Sequence, residues 1–134
     1  VLPRHGHGPN PQVAAGRLVI EGPDMLRAID IYTGRLIWQK SLPDLGDFYD
    51  NTLHQPGASA IGSNYVTLAD EVFAIRGDRV VALDAASGTE KRQYAVPPGV
   101  RPPKKMLFGP TSNVLLIVMV EPLVMVPRPM RLVR

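Results

Sequence analysis

Residues 26–38 read LRAIDIYTGRLIW, and a weaker copy, VVALDAASGTEKR, occupies residues 80–92. In the first copy residues 26–31 are rich in β-forming side chains and long enough for a strand. Asp30 then opens a turn, because an aspartate oxygen accepts hydrogen bonds from backbone amides two and three residues further on. Gly34 falls where such a turn needs a positive φ. A strand resumes over 35–39, expected to place Leu36 and Trp38 on one face and Ile37 on the other. In the second copy Ala82, Asp84 and Gly88 follow Ala28, Asp30 and Gly34 by 54 residues each. Thr33 becomes Ser87, which keeps the hydroxyl, whereas Trp38 becomes Arg92.

Working outward, residues 13–21 read as a strand with a turn-like Ala15 and Gly16 inside it. Gly22, Pro23 and Asp24 form the hairpin turn onto residues 26–31. The first unit is thus expected to be an antiparallel meander of three strands. In the second unit a short strand is expected over 59–61, a turn over 62–64, and strands over 65–68 and 72–76. Gly77 and Asp78 make a hairpin turn, residues 79–83 return, and residues 90–96 follow the second Asp–Gly turn. Residues 65–68 are expected to stand in for 18–20, with a few residues inserted before the hairpin.

Repeated strand units bury one another's faces. Leu26, Ala28, Ile29 and Ile31 make the strands apolar on both sides, so each sheet needs cover on both. Radial stacking of small antiparallel sheets supplies that cover. The expected fold is all-β: antiparallel four-stranded blades of a β-propeller, about two blades of an incomplete ring. A closed ring needs about four to eight blades. The chain is therefore expected to be a piece of a longer protein, in keeping with an initial Val and no visible signal peptide. The division is 1–12 loop, 13–57 first repeat with linker, 58–97 second repeat and 98–134 tail.

Composition bounds the chemistry. There is no cysteine among 134 residues, which removes disulfides, thiolate metal sites and thiol nucleophiles. Net charge is +3, but residues 1–100 hold nine Lys/Arg against eleven Asp/Glu, and residues 101–134 hold six against one. The basic excess belongs to the tail and is poor support for a nucleic-acid-binding body. His5 and His7 lie in a Pro- and Gly-rich stretch; a metal there needs a third ligand, and His54 is distant in sequence, so a loop is the preferred reading. Asp44, Asp47 and Asp50 recur every three residues but lack the glycine and terminal Glu of a calcium loop, so they read as an exposed connection tied down by Phe48, Tyr49 and Leu53.

Residues 98–134 carry seven prolines, two glycines and the apolar run VLLIVMV at 114–120. That run is shorter than the roughly 20 residues a transmembrane helix needs. Exposed, it is an aggregation hazard. The Asp–Gly pattern does not continue here, so the expectation is sequence foreign to the blade series, from a frame shift or a reading frame running past its end. Re-reading the coding DNA in the other two frames tests this; if neither restores a strand–turn–strand continuation, the idea fails.

Residues 16–20 (GRLVI), then 26–30 (LRAID), then Thr33 and Gly34, then Trp38, resemble the repeat of pyrroloquinoline-quinone (PQQ)-like β-propellers. The second unit matches through Gly88 and lacks the Trp; together the two cover residues 13–97. The wording is also similar to repeat proteins abundant in planctomycete-type bacteria. The resemblance implies that the Trp packs between adjacent blades and that the Asp/Thr–Gly turn holds the corner. Those structural roles fall on Asp30, Thr33, Gly34, Trp38, Asp84, Ser87 and Gly88. Arg92 in place of Trp implies that Tyr94 fills the gap or that the blade borders an irregular region. Catalytic and cofactor-binding residues stay unassigned. The resemblance implies a scaffold or protein-interaction module or, alternatively, part of a quinoprotein dehydrogenase that binds PQQ and calcium and oxidises an alcohol or sugar. It further implies a periplasmic, secreted or envelope location, and partners that include the remaining blades of the same longer chain.

Overall fold

The computed structural model of the protein describes residues 9–45, 63–95 and 97–99 and, beyond them, the backbone of three further strands. Ala15 and Gly16 take φ of 48° and 75°, the two left-handed residues that a two-residue hairpin favours. They fold β1 (Gln12–Ala14) back onto β2 (Arg17–Gly22), so the run read as one strand is two. Pro23 and Asp24 link β2 to β3 (Met25–Asp30), and the Asp30 turn links β3 to β4 (Leu36–Ser41). The sheet is antiparallel in the order β1-β2-β3-β4, one strand more than the expected meander.

The second sheet repeats this plan with β5 (Tyr65–Thr67), β6 (Glu71–Arg76), β7 (Arg79–Asp84) and β8 (Glu90–Ala95), in the order β5-β6-β7-β8. Arg17 and Glu71, Met25 and Arg79, and Leu36 and Glu90 open corresponding strands, each pair 54 residues apart. Residues 72–74 therefore correspond to 18–20, and residues 65–67 correspond to β1. The expected pairing of 65–68 with 18–20 fails because the Ala15–Gly16 hairpin adds a first strand to the unit. The few residues expected before the hairpin reduce to one: residues 68–70 join β5 to β6 where Ala15 and Gly16 join β1 to β2, and both central links have two residues, Pro23 with Asp24 and Gly77 with Asp78.

Both of these sheets carry a bulge at one point of the ladder. Ala28 pairs with Trp38, but Ile29 pairs with Leu36, leaving Ile37 as the extra residue. Paired residues share a face and successive residues of β3 alternate, so Leu36 and Trp38 lie on opposite faces. The alternation expected of residues 35–39 is overturned by this bulge, and Leu36 and Ile37 are 57% and 40% exposed. The second sheet has the same shift, with Arg92 against Ala82, Glu90 against Leu83, and Lys91 extra.

A third antiparallel sheet comprises β9 (Lys105–Phe108), β10 (Val114–Val118) and β11 (Val124–Pro127), in the order β11-β10-β9. The sequence reading assigned no strands there. The first strands of the three sheets adjoin, β1 beside β5 and β5 beside β9, as blades do around an axis. The core lies between the first two sheets. Val19, Leu26, Ala28 and Trp38 of the first are buried with Tyr65, Val72, Ala74, Val81 and Leu83 of the second. One face of the first blade thus packs on the opposite face of the second. The other face of the first blade is open in part: Val13 and Leu36 on it are exposed while Ile20 is buried, and all the exposed large hydrophobics among the described residues (Val13, Ile31, Tyr32, Leu36 and Ile37) belong to that blade. His5, His7, His54, Asp47, Asp50 and the strand expected over 59–61 lie outside the described residues.

Candidate functional site

The two Asp–Gly corners are built alike. At the first, Asp30 Oδ1 accepts from the amides of Tyr32 (2.8 Å) and Thr33 (3.0 Å), and the Gly34 amide donates to the Asp30 carbonyl (2.8 Å). At the second, Asp84 Oδ1 accepts from Ala86 (3.0 Å) and Ser87 (2.9 Å), and Gly88 donates to the Asp84 carbonyl (2.8 Å). The Ser87 hydroxyl also donates to Asp84 Oδ1 at 3.0 Å. These bonds stabilise the carboxylate over the acid. The Thr33 amide first, then the Tyr32 amide, holds the Asp30 carboxyl below its ordinary value. The Ser87 amide and hydroxyl do the same for Asp84, with a smaller pull from Lys91. Gly34 and Gly88 sit at φ +70° and +71°, where a Cβ is strained.

The corners differ in what lies over them. Trp38 of the first blade rests on the second corner, where its indole N–H donates to the Ala85 carbonyl at 2.9 Å. A Cβ at Gly88 would lie 2.7 Å from the ring, so only glycine admits the indole. At Gly34 nothing lies within 4 Å of the same position. Ile31, which precedes Ala85 by 54 residues, is 43% exposed.

The rest of the seam is polar at both ends and apolar between. The Gln12 side chain bridges the two first strands, donating to the Tyr65 carbonyl and accepting from the Thr67 amide, both at 2.8 Å. The Tyr65 hydroxyl lies 2.8 Å from the Asn10 carbonyl and 3.0 Å from that of Val19. Buried Asn64 donates to buried Glu21, and Arg17 donates to the Ala69 carbonyl at 3.2 Å. On the far face of the second blade, Arg92 donates to Glu71 Oε1, and Glu71 is only 3% exposed. Lys91 Nζ lies 3.6 Å from Glu71 and 3.5 Å from Asp84. Burial pushes the Tyr94 hydroxyl up from its ordinary value.

The structure therefore brings Trp38 together with Asp84, Ser87 and Gly88, and leaves Asp30, Thr33 and Gly34 at a separate, open corner. Gln12, Glu21, Asn64, Tyr65 and the Ala85 carbonyl escaped sequence reasoning, since no local pattern announces a contact across a seam. The Glu71–Arg92 pair had a signal: both positions depart from the first copy, which has Arg17 and Trp38 there. Among the described residues no group of three or more His, Cys, Asp or Glu is placed to hold a metal ion. Asp44 enters through its backbone instead, its amide donating to the Asp24 side chain (Oδ1) at 2.8 Å.

The chain matches no protein-family model and no curated protein. Its likeness to solved structures is clear. It is similar to the quinohemoprotein alcohol dehydrogenase ADHIIG of Pseudomonas putida HK5, with a TM-score of 0.58 and 17% identity over 87% of this chain and 17% of that one. It is similar to a europium-containing methanol dehydrogenase (TM-score 0.54, 14% identity, 85% and 21% covered). It is similar also to Kluyveromyces lactis Hsv2 (TM-score 0.54, 7% identity, 90% and 32% covered). These are β-propellers, and the chain has their fold: antiparallel blades, here not closed into a ring. It spans between 17% and 32% of their lengths.

Proposed function

We propose that the chain is a run of consecutive blades from a longer propeller that serves as a scaffold or protein-interaction module. The carrying observation is how the polar side chains conspicuous in the sequence are used. Asp30 and Asp84 close corners, and Trp38 makes the seam; Gln12 and Tyr65 assist it. None of these roles is chemistry on a substrate. In this reading Asp30, Thr33, Gly34, Trp38, Asp84, Ser87 and Gly88 are architectural residues. The open face of the first blade takes a further blade of the same polypeptide, with Gly34 and the Ile31 carbonyl receiving a side chain as Gly88 and Ala85 receive Trp38. By likeness to the dehydrogenases the location is the periplasm or cell envelope; no helix among the described residues is long and apolar enough to cross a membrane.

The likeness to the alcohol and methanol dehydrogenases favours a second reading, a quinoprotein dehydrogenase whose PQQ, calcium and catalytic groups are supplied by other blades. A thermal melt of the longer protein with added PQQ and calcium separates the two. A ligand that binds only the folded state stabilises it by about 2.7 kcal/mol at a hundredfold excess over Kd. The scaffold reading expects an unchanged Tm; a saturable rise overturns it in favour of the second.

A further inference from the structure

We propose that Glu71 and Arg92 form a polar key that joins the second blade to the third sheet of this chain, a neighbour without an Asp–Gly corner. This goes beyond the scaffold reading and would hold equally if the parent protein were an enzyme.

The indole seam between the first two blades has two halves: Trp38 on one blade, and on the next a glycine that leaves room for the ring and a carbonyl that accepts from it. Both halves are missing at the second seam. Position 92 is Arg, and residues 128–134, which come after β11 as the first corner comes after β3, contain neither Asp nor Gly. The two losses read as a single change, because an indole without a glycine beneath it has no seat.

Position 71 changed as well. It corresponds to Arg17, and in the second blade Glu71 accepts from the Arg92 side chain. Glu71, Phe73, Val80, Ala82, Arg92 and Tyr94 lie on one face of the second sheet by ladder register. This is the face that corresponds to Arg17, Val19, Leu26, Ala28, Trp38 and Lys40 in the first, the face that meets the next blade. Phe73, Val80 and Ala82 are buried, and β9 runs beside β5. Arg92 keeps the one polar property of the indole, a donor, and Glu71 orients it. Arg92 Nε and the Tyr94 hydroxyl are buried on this face, where the Arg92 side chain acts on the Tyr94 hydroxyl. The surface that fits here offers oxygen acceptors, not a glycine platform.

The test uses the 134-residue chain, with Tm and amide exchange as readouts. Arg92→Met alone leaves the buried Glu71 without its closest partner and is expected to lower Tm by about 5 °C or more. Arg92→Met combined with Glu71→Met removes both charges at similar volume and is expected to recover most of that loss. In Arg92→Met, exchange is expected to rise in β9–β11 while β2–β4 keep their protection. Arg92→Trp is expected to lower Tm, for want of a glycine corner. Three results overturn the proposal. One is a double variant no more stable than the sum of its parts. Another is exchange that rises equally in β2–β4. The third is an Arg92→Trp variant at least as stable as the parent.

Discussion

At Gly88 one hydrogen atom decides whether two blades can close. An added Cβ meets the Trp38 ring at 2.7 Å and must also adopt φ of +71°. In the 134-residue chain Gly88→Ala is expected to cost about 2–5 kcal/mol, left-handed strain plus overpacking. Gly34→Ala, with the same φ but open space, is expected to cost only about 1–2 kcal/mol. Denaturant unfolding of the two variants measures the difference, and equal costs would remove the indole from the seam. Trp38→Ala should cost about 3–5 kcal/mol. Trp38→Phe should cost about 1–2 kcal/mol, the share of the Ala85 hydrogen bond. Arg92→Ala cannot be treated as a mild surface control, because Glu71 beneath it is buried; allowing for solvent at the guanidinium, about 1–3 kcal/mol is expected. The corner aspartates add a pH dependence. Their carboxyls titrate lower in the folded chain than the ordinary 3.8, so their stabilisation is fully present above that pH and is lost as pH falls through the folded values. Asp84→Asn keeps an acceptor for the turn but removes this titration. Its Tm should fall less steeply than the parent's as pH drops below about 4, and an unchanged slope would contradict the assignment.

At the scale of elements, the 54-residue recurrence holds across three strands of each blade, their two-residue hairpin and their bulge. The corners were legible in sequence because an Asp, a hydroxyl and a Gly within five residues settle a turn locally. The bulge was not legible: Leu36 and Ile37 are both apolar, and nothing in their order says which is the extra residue. The first strand was misread because Val13 and Ala14 continue into Leu18–Val19–Ile20 as though Ala15 and Gly16 were a flaw in a single strand. Gln12 shows the same limit, since its amide links β1 to β5 across more than fifty residues of sequence. Its contribution is expected to be visible in exchange: Gln12→Ala should loosen β5 before β7, whose two neighbouring strands remain. If β5 and β7 respond alike, the bridge is not what holds the first strands together.

At the scale of the molecule, the first two blades stack face to opposite face, and this arrangement does not close on itself. A head-to-tail interface repeats until a ring forms or a surface is left over. Here the leftover surface is the open side of the first blade, with Leu36, Ile37 and Tyr32 exposed. Propeller architecture was legible because apolar residues on both faces of a short repeated sheet demand neighbours. A function was not legible, because the residues that stand out in the sequence close turns or, at Trp38 and Gly88, meet at a seam. The central claim, that these are consecutive blades of a larger ring, turns on Gly34. The most direct measurement is the stability cost of Gly34→Ala beside that of Gly88→Ala in the longer polypeptide. The account predicts that Gly34→Ala, mild in the 134-residue chain, becomes as costly as Gly88→Ala once a preceding blade covers the first corner. A Gly34→Ala cost that stays mild in the longer protein would contradict it.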